Sequence, residues 1–275
     1  MPRLYDEVIE IANEHNDKYL DIFKTSLPYA QIFLASNVHE LIDPHGVYEA
    51  SKDFPNAAPP FDVTWVEWSV KKEFADSVNF SELRRCGTLT LSEYTDDGFS
   101  LYIYGIGEMF SDGHPVISVF PGKARYVLDV VGNVVNSNII MPSDPKEVGG
   151  VIPEAIDGLM IPTLLTFSLL NCRNVTTQEH GPYRKEEERW SKRGSKRLLC
   201  RYHTLNISTM ARILREEGGI KKNGPAKALH ICRGHFKDYT KSGLFGKHRG
   251  LFYFGPVIRG SKNSGLVIKD YNVGV

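Results

Sequence analysis

Residues 153–171 place the strongest constraint on this fold. Pro153 suits a first helical turn, where its missing N–H would have no partner, and Glu154 complements the positive end of the helix dipole. Apolar side chains then cover nearly the whole circumference, so the segment predicts a helix buried in the protein rather than lying on its surface. Pro162 is expected to kink or split that helix. The most apolar part, 159–170, is shorter than the roughly 18 apolar residues of a membrane span and contains a proline, two threonines and a serine. No membrane partner is expected.

Upstream of this helix the patterning is that of a sheet with helices. Leu4, Val8, Ile11, Leu20 and Phe23 recur at helical spacing and predict one amphipathic helix over 4–25, ended by Leu27-Pro28. A short strand is expected at 32–34, a proline-rich loop at 53–60 and a strand at 61–68. Residues 88–94 and 99–106 flank Asp96-Asp97-Gly98 and read as a hairpin, with the Asp-Gly pair at its turn. Strands at 116–120 and 125–131 continue an antiparallel sheet, followed by a turn at Gly132-Asn133.

Downstream, 181–197 is charged and almost free of aliphatic residues, so it cannot bury a face. A strand at 198–207, a short helix capped by Ser208 and a second basic segment at 221–227 follow. The expected fold class is α+β, in two regions. Residues 1–152 form an acidic, aromatic region with an antiparallel sheet packed by helices. Residues 153–275 comprise the apolar helix and a smaller basic α+β unit.

The formal charge of zero conceals a polarised chain. Residues 1–180 carry 12 Lys/Arg against 26 Asp/Glu, and residues 181–262 carry 20 against 6. Such asymmetry points to a polyanion surface, or to one half neutralising the other. The four cysteines, Cys86, Cys172, Cys200 and Cys232, include no Cys-x-x-Cys pair, so neither a zinc site nor another cofactor is expected and all four read as buried thiols. The N-terminus lacks the apolar core of a signal peptide, which makes the cytoplasm the default location.

Chemistry-bearing residues crowd into 229–260. If 229–239 is a strand, alternation puts Arg233, His235, Lys237 and Tyr239 on one face, and a bulge at Gly234 would bring His230 round to join them. Metal-independent RNA cleavage requires a base for the ribose 2′-hydroxyl, an acid for the leaving oxygen and cations for the phosphorane. His235 and His230 fit the proton-transfer roles, Tyr239 a supporting donor, and Arg233 and Arg259 the cationic ones. The competing reading is noncatalytic binding, with the histidines hydrogen-bonded in the fold or touching phosphate. Nucleic-acid contacts are expected from Lys192, Arg193, Lys196 and Arg197 in the charged arm, and from Lys237, Lys247, Arg249, Tyr253 and Arg259. Phe252, Tyr253 and Phe254 could stack unpaired bases. Asp238 is the sole carboxylate of 229–260, so no metal site is expected.

The pattern His230-x-x-Arg233-Gly234-His235-Phe236-x-x-Tyr239, followed by a basic aromatic strand, resembles the C-terminus of the type V-A anti-CRISPR family that suppresses production of the effector nuclease. It is also similar to uncharacterised phage and plasmid proteins, above all those of actinobacteriophages, through Gly243-Leu244-Phe245-Gly246-Lys247 and Val257-Ile258-Arg259-Gly260. The resemblance covers roughly 155–262. The chain departs from the anti-CRISPR pattern at Phe236, where those relatives favour tryptophan, and at Cys232, where they have another basic residue. The resemblance implies a mobile-element accessory protein acting on translation or messenger RNA. Its expected partner is RNA. The alternative is a noncatalytic protein that binds a host or nascent polypeptide through the acidic half.

Overall fold

In a computed structural model, the described residues are all except 1–3, 16, 44–45, 47, 112, 145–150, 182–200, 209–227, 233, 245, 260 and 267–275; of 228–232, 257–259 and 261–266 the backbone alone is described. They divide into two compact units, 1–171 with 175–206 and 172–174 with 207–275. The division therefore does not fall at 152/153. The apolar helix belongs with the acidic region.

The first unit is built on an eight-stranded sheet. Its strands are β1 (Gln31–Leu34), β2 (Val63–Ser69), β3 (Leu83–Thr95), β4 (Gly98–Ser111), β5 (His114–Leu128), β6 (Val134–Ile140), β7 (Val175–His180) and β8 (Tyr202–Ile207). Their order is β6-β5-β4-β3-β2-β1-β8-β7. From β2 to β6 the sheet is an antiparallel meander, as the hairpin signals predict. The sheet as a whole is mixed, because β1 runs parallel to both β2 and β8. The long 35–62 connection allows the crossover that parallel neighbours require. The β3–β4 turn pairs Thr95 with Gly98, so Asp96 and Asp97 form the loop and Gly98 starts the next strand. β5 continues through Pro121-Gly122 as one strand rather than two, with its register on β4 shifting there from Tyr104 opposite Lys123 to Ile106 opposite Val119.

Alternation sends side chains to two faces, each covered by helices. Trp65 and Leu89 face α1 (Leu4–Glu14) and α2 (Asp21–Ser26), which contribute Leu4, Tyr5, Val8, Ile9 and Phe23 to a common core. The predicted single helix over 4–25 is thus two. Asp17 interrupts it by accepting from the Tyr19 amide at 2.8 Å, the kind of local bond with which aspartate competes against helix. The first turn of α1 is capped from a distance. Buried Glu67, 7% exposed, accepts from the Leu4 and Tyr5 amides at 3.0 Å each and from Trp65 Nε1 at 3.1 Å. Two of the orphan N–H groups of the helix start are satisfied by that one carboxylate.

Small helices α3 (Ser36–His39), α4 (Ala50–Asp53) and α5 (Lys72–Ser77) flank the meander. The opposite face rests on α6 (Pro153–Leu170), whose buried residues include Ile156, Leu159, Met160, Leu164 and Phe167. α6 runs unbroken through Pro162. Residue 158, whose carbonyl the proline leaves free, is a glycine, and Thr166 Oγ1 donates to the Pro162 carbonyl at 2.7 Å. Polar groups that reach this interface are paired: Thr88 with Thr163 at 2.7 Å, and Tyr126 Oη donating to Asp157 at 2.7 Å.

The second unit has a two-stranded ribbon, β10 (His235–Asp238) with β11 (Leu251–Phe254). It also has three strands in the order β12-β9-β13: β12 (Val257–Arg259), β9 (Ala228–Cys232) and β13 (Ser261–Leu266). The expected helix after Ser208 and the basic segment at 221–227 lie outside the described residues.

Candidate nucleic-acid interface

The segment 229–239 is two strands rather than one. β9 pairs antiparallel with β12, which sets His230 opposite Arg259, whereas β10 pairs antiparallel with β11. The change of sheet falls at 233–234, so a common alternation holds only from His235 onward. Gly234 marks the break for a steric reason: a Cβ there would sit 2.1 Å from Tyr253 Oη.

From His235 the ribbon has two distinct faces. The register sets His235 opposite Phe254 and Lys237 opposite Phe252, which puts these four on one side. The His235 imidazole stacks on Phe254, with centroids 5.4 Å apart and planes 8° from parallel, and Lys237 Nζ lies 5.3 Å from the same ring. Tyr239 meets Phe252 edge-on at 6.0 Å, and His248 does so at 6.2 Å. His235 and Lys237 are exposed, and Phe254 is half-buried. The other face turns inward, where Phe236 packs against Tyr253 at 5.0 Å. Tyr253 is 3% exposed, so it cannot take the base-stacking role expected of it, and Phe252 is buried as well. Phe254 is the aromatic that β11 leaves within reach of a ligand.

Asn174 fixes β11 in place. Its side chain donates to the Tyr253 and Ser208 carbonyls at 2.8 Å and accepts from the Tyr253 amide at 3.0 Å. The Arg173 amide donates to the Leu251 carbonyl at 2.9 Å. Beyond β10, Asp238 closes a turn by accepting from the Thr240 amide and hydroxyl. Those bonds, with Lys241 beside them, hold its carboxyl below the usual aspartate range. The chain then folds back through a Leu244–His248 bridge, so that Lys247 and Arg249 are exposed beside the ribbon.

Of the expected site residues, His235, Lys237 and Tyr239 share one face, and Lys247 and Arg249 lie on the adjoining turn. Lys192, Arg193, Lys196, Arg197 and Arg233 lie outside the described residues, as do the side chains of His230 and Arg259. His248 and Phe254 join the site. The period of two along 252–254 would have paired Phe254 with Phe252. Nothing in the local pattern singled out His248 over His230. Among the described residues, no three His, Cys, Asp or Glu side chains converge as metal ligands. The arrangement offers exposed cations beside an accessible ring, a combination chemically suited to a phosphate backbone with unstacked bases.

No family model matches the chain, and no curated protein matches it. Among solved structures, that of AcrVA2 is similar across 93% of this chain and 81% of the other, at 13% identity and a TM-score of 0.29, a likeness too loose to carry function from one to the other.

Proposed function

We propose that this chain binds RNA through its second unit and serves a mobile element by interfering with host or defence gene expression. The observation that carries the reading is the His235–Lys237–Phe254 cluster, an imidazole and an ammonium against one ring on an exposed ribbon, flanked by exposed Lys247 and Arg249. The excess of 20 Lys/Arg over 6 Asp/Glu in 181–262 supports it, as does the resemblance of the His230–Tyr239 motif to anti-CRISPR proteins. Lysine and arginine at such a site release counterions from the RNA, contributing a salt-log slope of about −0.7 per phosphate on single strands. Charge reversal at Lys237, Lys247 and Arg249 in the full chain is expected to flatten that slope by about two units. A variant that binds labelled oligouridine with unchanged affinity and slope overturns the assignment.

Cleavage is the second reading, favoured by one observation: His235 and His248 each pack on a phenylalanine of the same ribbon face. On this reading His235 and His248 would be the proton donor and acceptor. The test is product chemistry, with 2′,3′-cyclic phosphate ends formed in the presence of chelator and lost in His235→Ala. RNA left intact by the purified protein, with and without translating ribosomes, removes this reading and leaves binding in place.

A further inference from the structure

Exposed apolar side chains gather at one end of the eight-stranded sheet. β1 and β2 are parallel and β3 is antiparallel to β2, so the residues just before β1 and β2 and the tip of the β3–β4 hairpin meet at that end. The β5–β6 turn joins them, since a Cβ at Gly98 would sit 2.1 Å from the Leu128 carbonyl oxygen. Tyr29, Phe61, Tyr94, Val130 and Val131 come from these segments, and each is between 42% and 77% exposed. A single exposed apolar side chain is ordinary, whereas a group of them rimmed by polar residues marks a contact surface. Two of the rings are also anchored. The Tyr94 hydroxyl donates to Asp62 and its ring meets Phe99 edge-on at 5.1 Å, and the Phe61 ring lies 6.3 Å from that of buried Phe33. Side chains already fixed in this way lose little freedom when a partner covers them.

The charge at this end is of one sign. Residues 27–30, 59–62, 93–98 and 129–133 include Asp62, Glu93, Asp96, Asp97 and Asp129 and no lysine or arginine. Apolar residues and carboxylates adjoin in the sequence: Phe61 with Asp62, Tyr94 with Glu93, and Val130 with Asp129. Asp129 shapes its own turn by accepting from the Val131 and Asn133 amides at 2.9 and 2.8 Å. Glu93, Asp96 and Asp97 are exposed and have no cationic partner among the described residues.

We infer that this end of the sheet binds a segment of another polypeptide in which lysine or arginine stands beside apolar side chains. At about 4.8 Å per strand, the row from β1 to β5 spans about 20 Å, room for about six extended residues. The apolar side chains supply the contact area, and the carboxylates select the sign of the partner. RNA and anionic lipid surfaces are repelled, and so is the same end of a second copy. The inference goes beyond the RNA reading, which concerns the second unit, and the two fail separately.

The test uses the full chain and three short labelled peptides: lysine alternating with phenylalanine, glutamate alternating with phenylalanine, and lysine alternating with serine. The lysine–phenylalanine peptide is expected to bind, as read by fluorescence anisotropy. Tyr94→Ser/Val130→Ser should weaken it about ten-fold or more, and Asp96→Lys/Asp97→Lys several-fold. All four residues are exposed, so both variants are expected to fold, which their unfolding curves check, and to bind oligouridine as the parent does. Absence of binding at about 1 mM overturns the inference. Equal binding of either control peptide does so too, as does binding that both variants retain. Self-association abolished by the same substitutions would assign the surface to a second copy, and displacement of the peptide by oligouridine would assign it to RNA. Either result overturns the inference as well.

Discussion

The eight-stranded unit and the ribbon unit use polar residues in opposite ways. In the first, charge is turned to structural ends: Glu67 caps α1 from the sheet, and Arg85 ties α1 to β4 through Glu7 and Glu108. Burial raises the Glu7 carboxyl, with Arg85 opposing the rise, and the two carboxylates raise the Arg85 guanidinium. In the second, His235, Lys237, Lys247 and Arg249 remain at the surface, the first two beside the Phe254 ring. A wide sheet covered by helices buries enough apolar area to hold internal ions in place. A two-stranded ribbon has little such area, and its cations stay hydrated and available. The difference leaves the exposed cations in the unit with the smaller sheets.

Breaking the contrast on the sheet side should have the largest effect. Glu67→Ala leaves the Leu4 and Tyr5 amides and the Trp65 indole without an acceptor inside the core, and removal of a buried charged partner costs about 3–5 kcal/mol. Glu67→Gln, which retains one carbonyl acceptor, should recover part of that loss. Urea unfolding followed by tryptophan fluorescence measures both. Equal losses in the two variants would mean that the carboxylate charge, rather than hydrogen-bond satisfaction, holds α1.

Acid acts next, through His39. This side chain is 3% exposed and packs against Phe74 at 4.7 Å, and its Nε2 accepts from the Lys71 amide at 3.3 Å. Burial, aided by the Lys71 charge, lowers its pKa from 6.5 to about 4. Between those values the unfolded chain binds the proton that the folded chain refuses, so stability is full above pH 6.5 and falls as pH drops toward 4. The loss from this one group approaches about 3 kcal/mol. His39→Gln keeps an acceptor for Lys71 and cannot titrate, so it should flatten the stability curve across that window.

On the ribbon side the expected losses are smaller and local. Gly234→Ala drives a methyl into the hydroxyl of Tyr253, whose ring packs against Phe236 and whose backbone is held by Asn174. Overpacking of this kind costs about 1–3 kcal/mol. Amide exchange should speed up in 235–254 while β2–β5 stays protected. Loss of protection throughout would show that the two units unfold together.

The same contrast explains what could be read from the sequence. The meander from β2 to β5 and the buried α6 were legible, since long runs of period two and a helix apolar all round override local noise. β6 was not: no strand was expected over 134–140, where Asn136, Ser137 and Asn138 are poor strand formers, and an edge strand needs no buried face to reveal it. The parallel pairing of β1 depends on a crossover whose ends lie far apart in sequence. At the site, the residue types were legible and their partners were not. A continuous strand from 229 to 239 was a fair reading of alternation, but the switch between sheets is dictated by the Tyr253 ring against Gly234, a contact between residues nineteen positions apart. Glu67 shows the same limit, since its role depends on amides more than sixty residues away.

The smallest expected effect concerns His235, and it sharpens the comparison most directly. Its imidazole is exposed and stacks on Phe254, so His235→Ala removes little buried area. An exposed ring pair is worth about 0.5–1.5 kcal/mol at most, and solvation of the vacated ring face offsets part of it. Unfolding of the variant should thus differ from the parent by no more than about 1 kcal/mol. His235→Phe keeps the stack while deleting both ring nitrogens. If the site reads RNA by stacking, the phenylalanine variant should bind oligouridine as the parent does and the alanine variant several-fold less tightly. If the imidazole contributes charge or a hydrogen bond to phosphate, both variants should weaken together. An alanine variant that unfolds as readily as Gly234→Ala would place His235 with the structural residues of the first unit and remove the ribbon face from the interface.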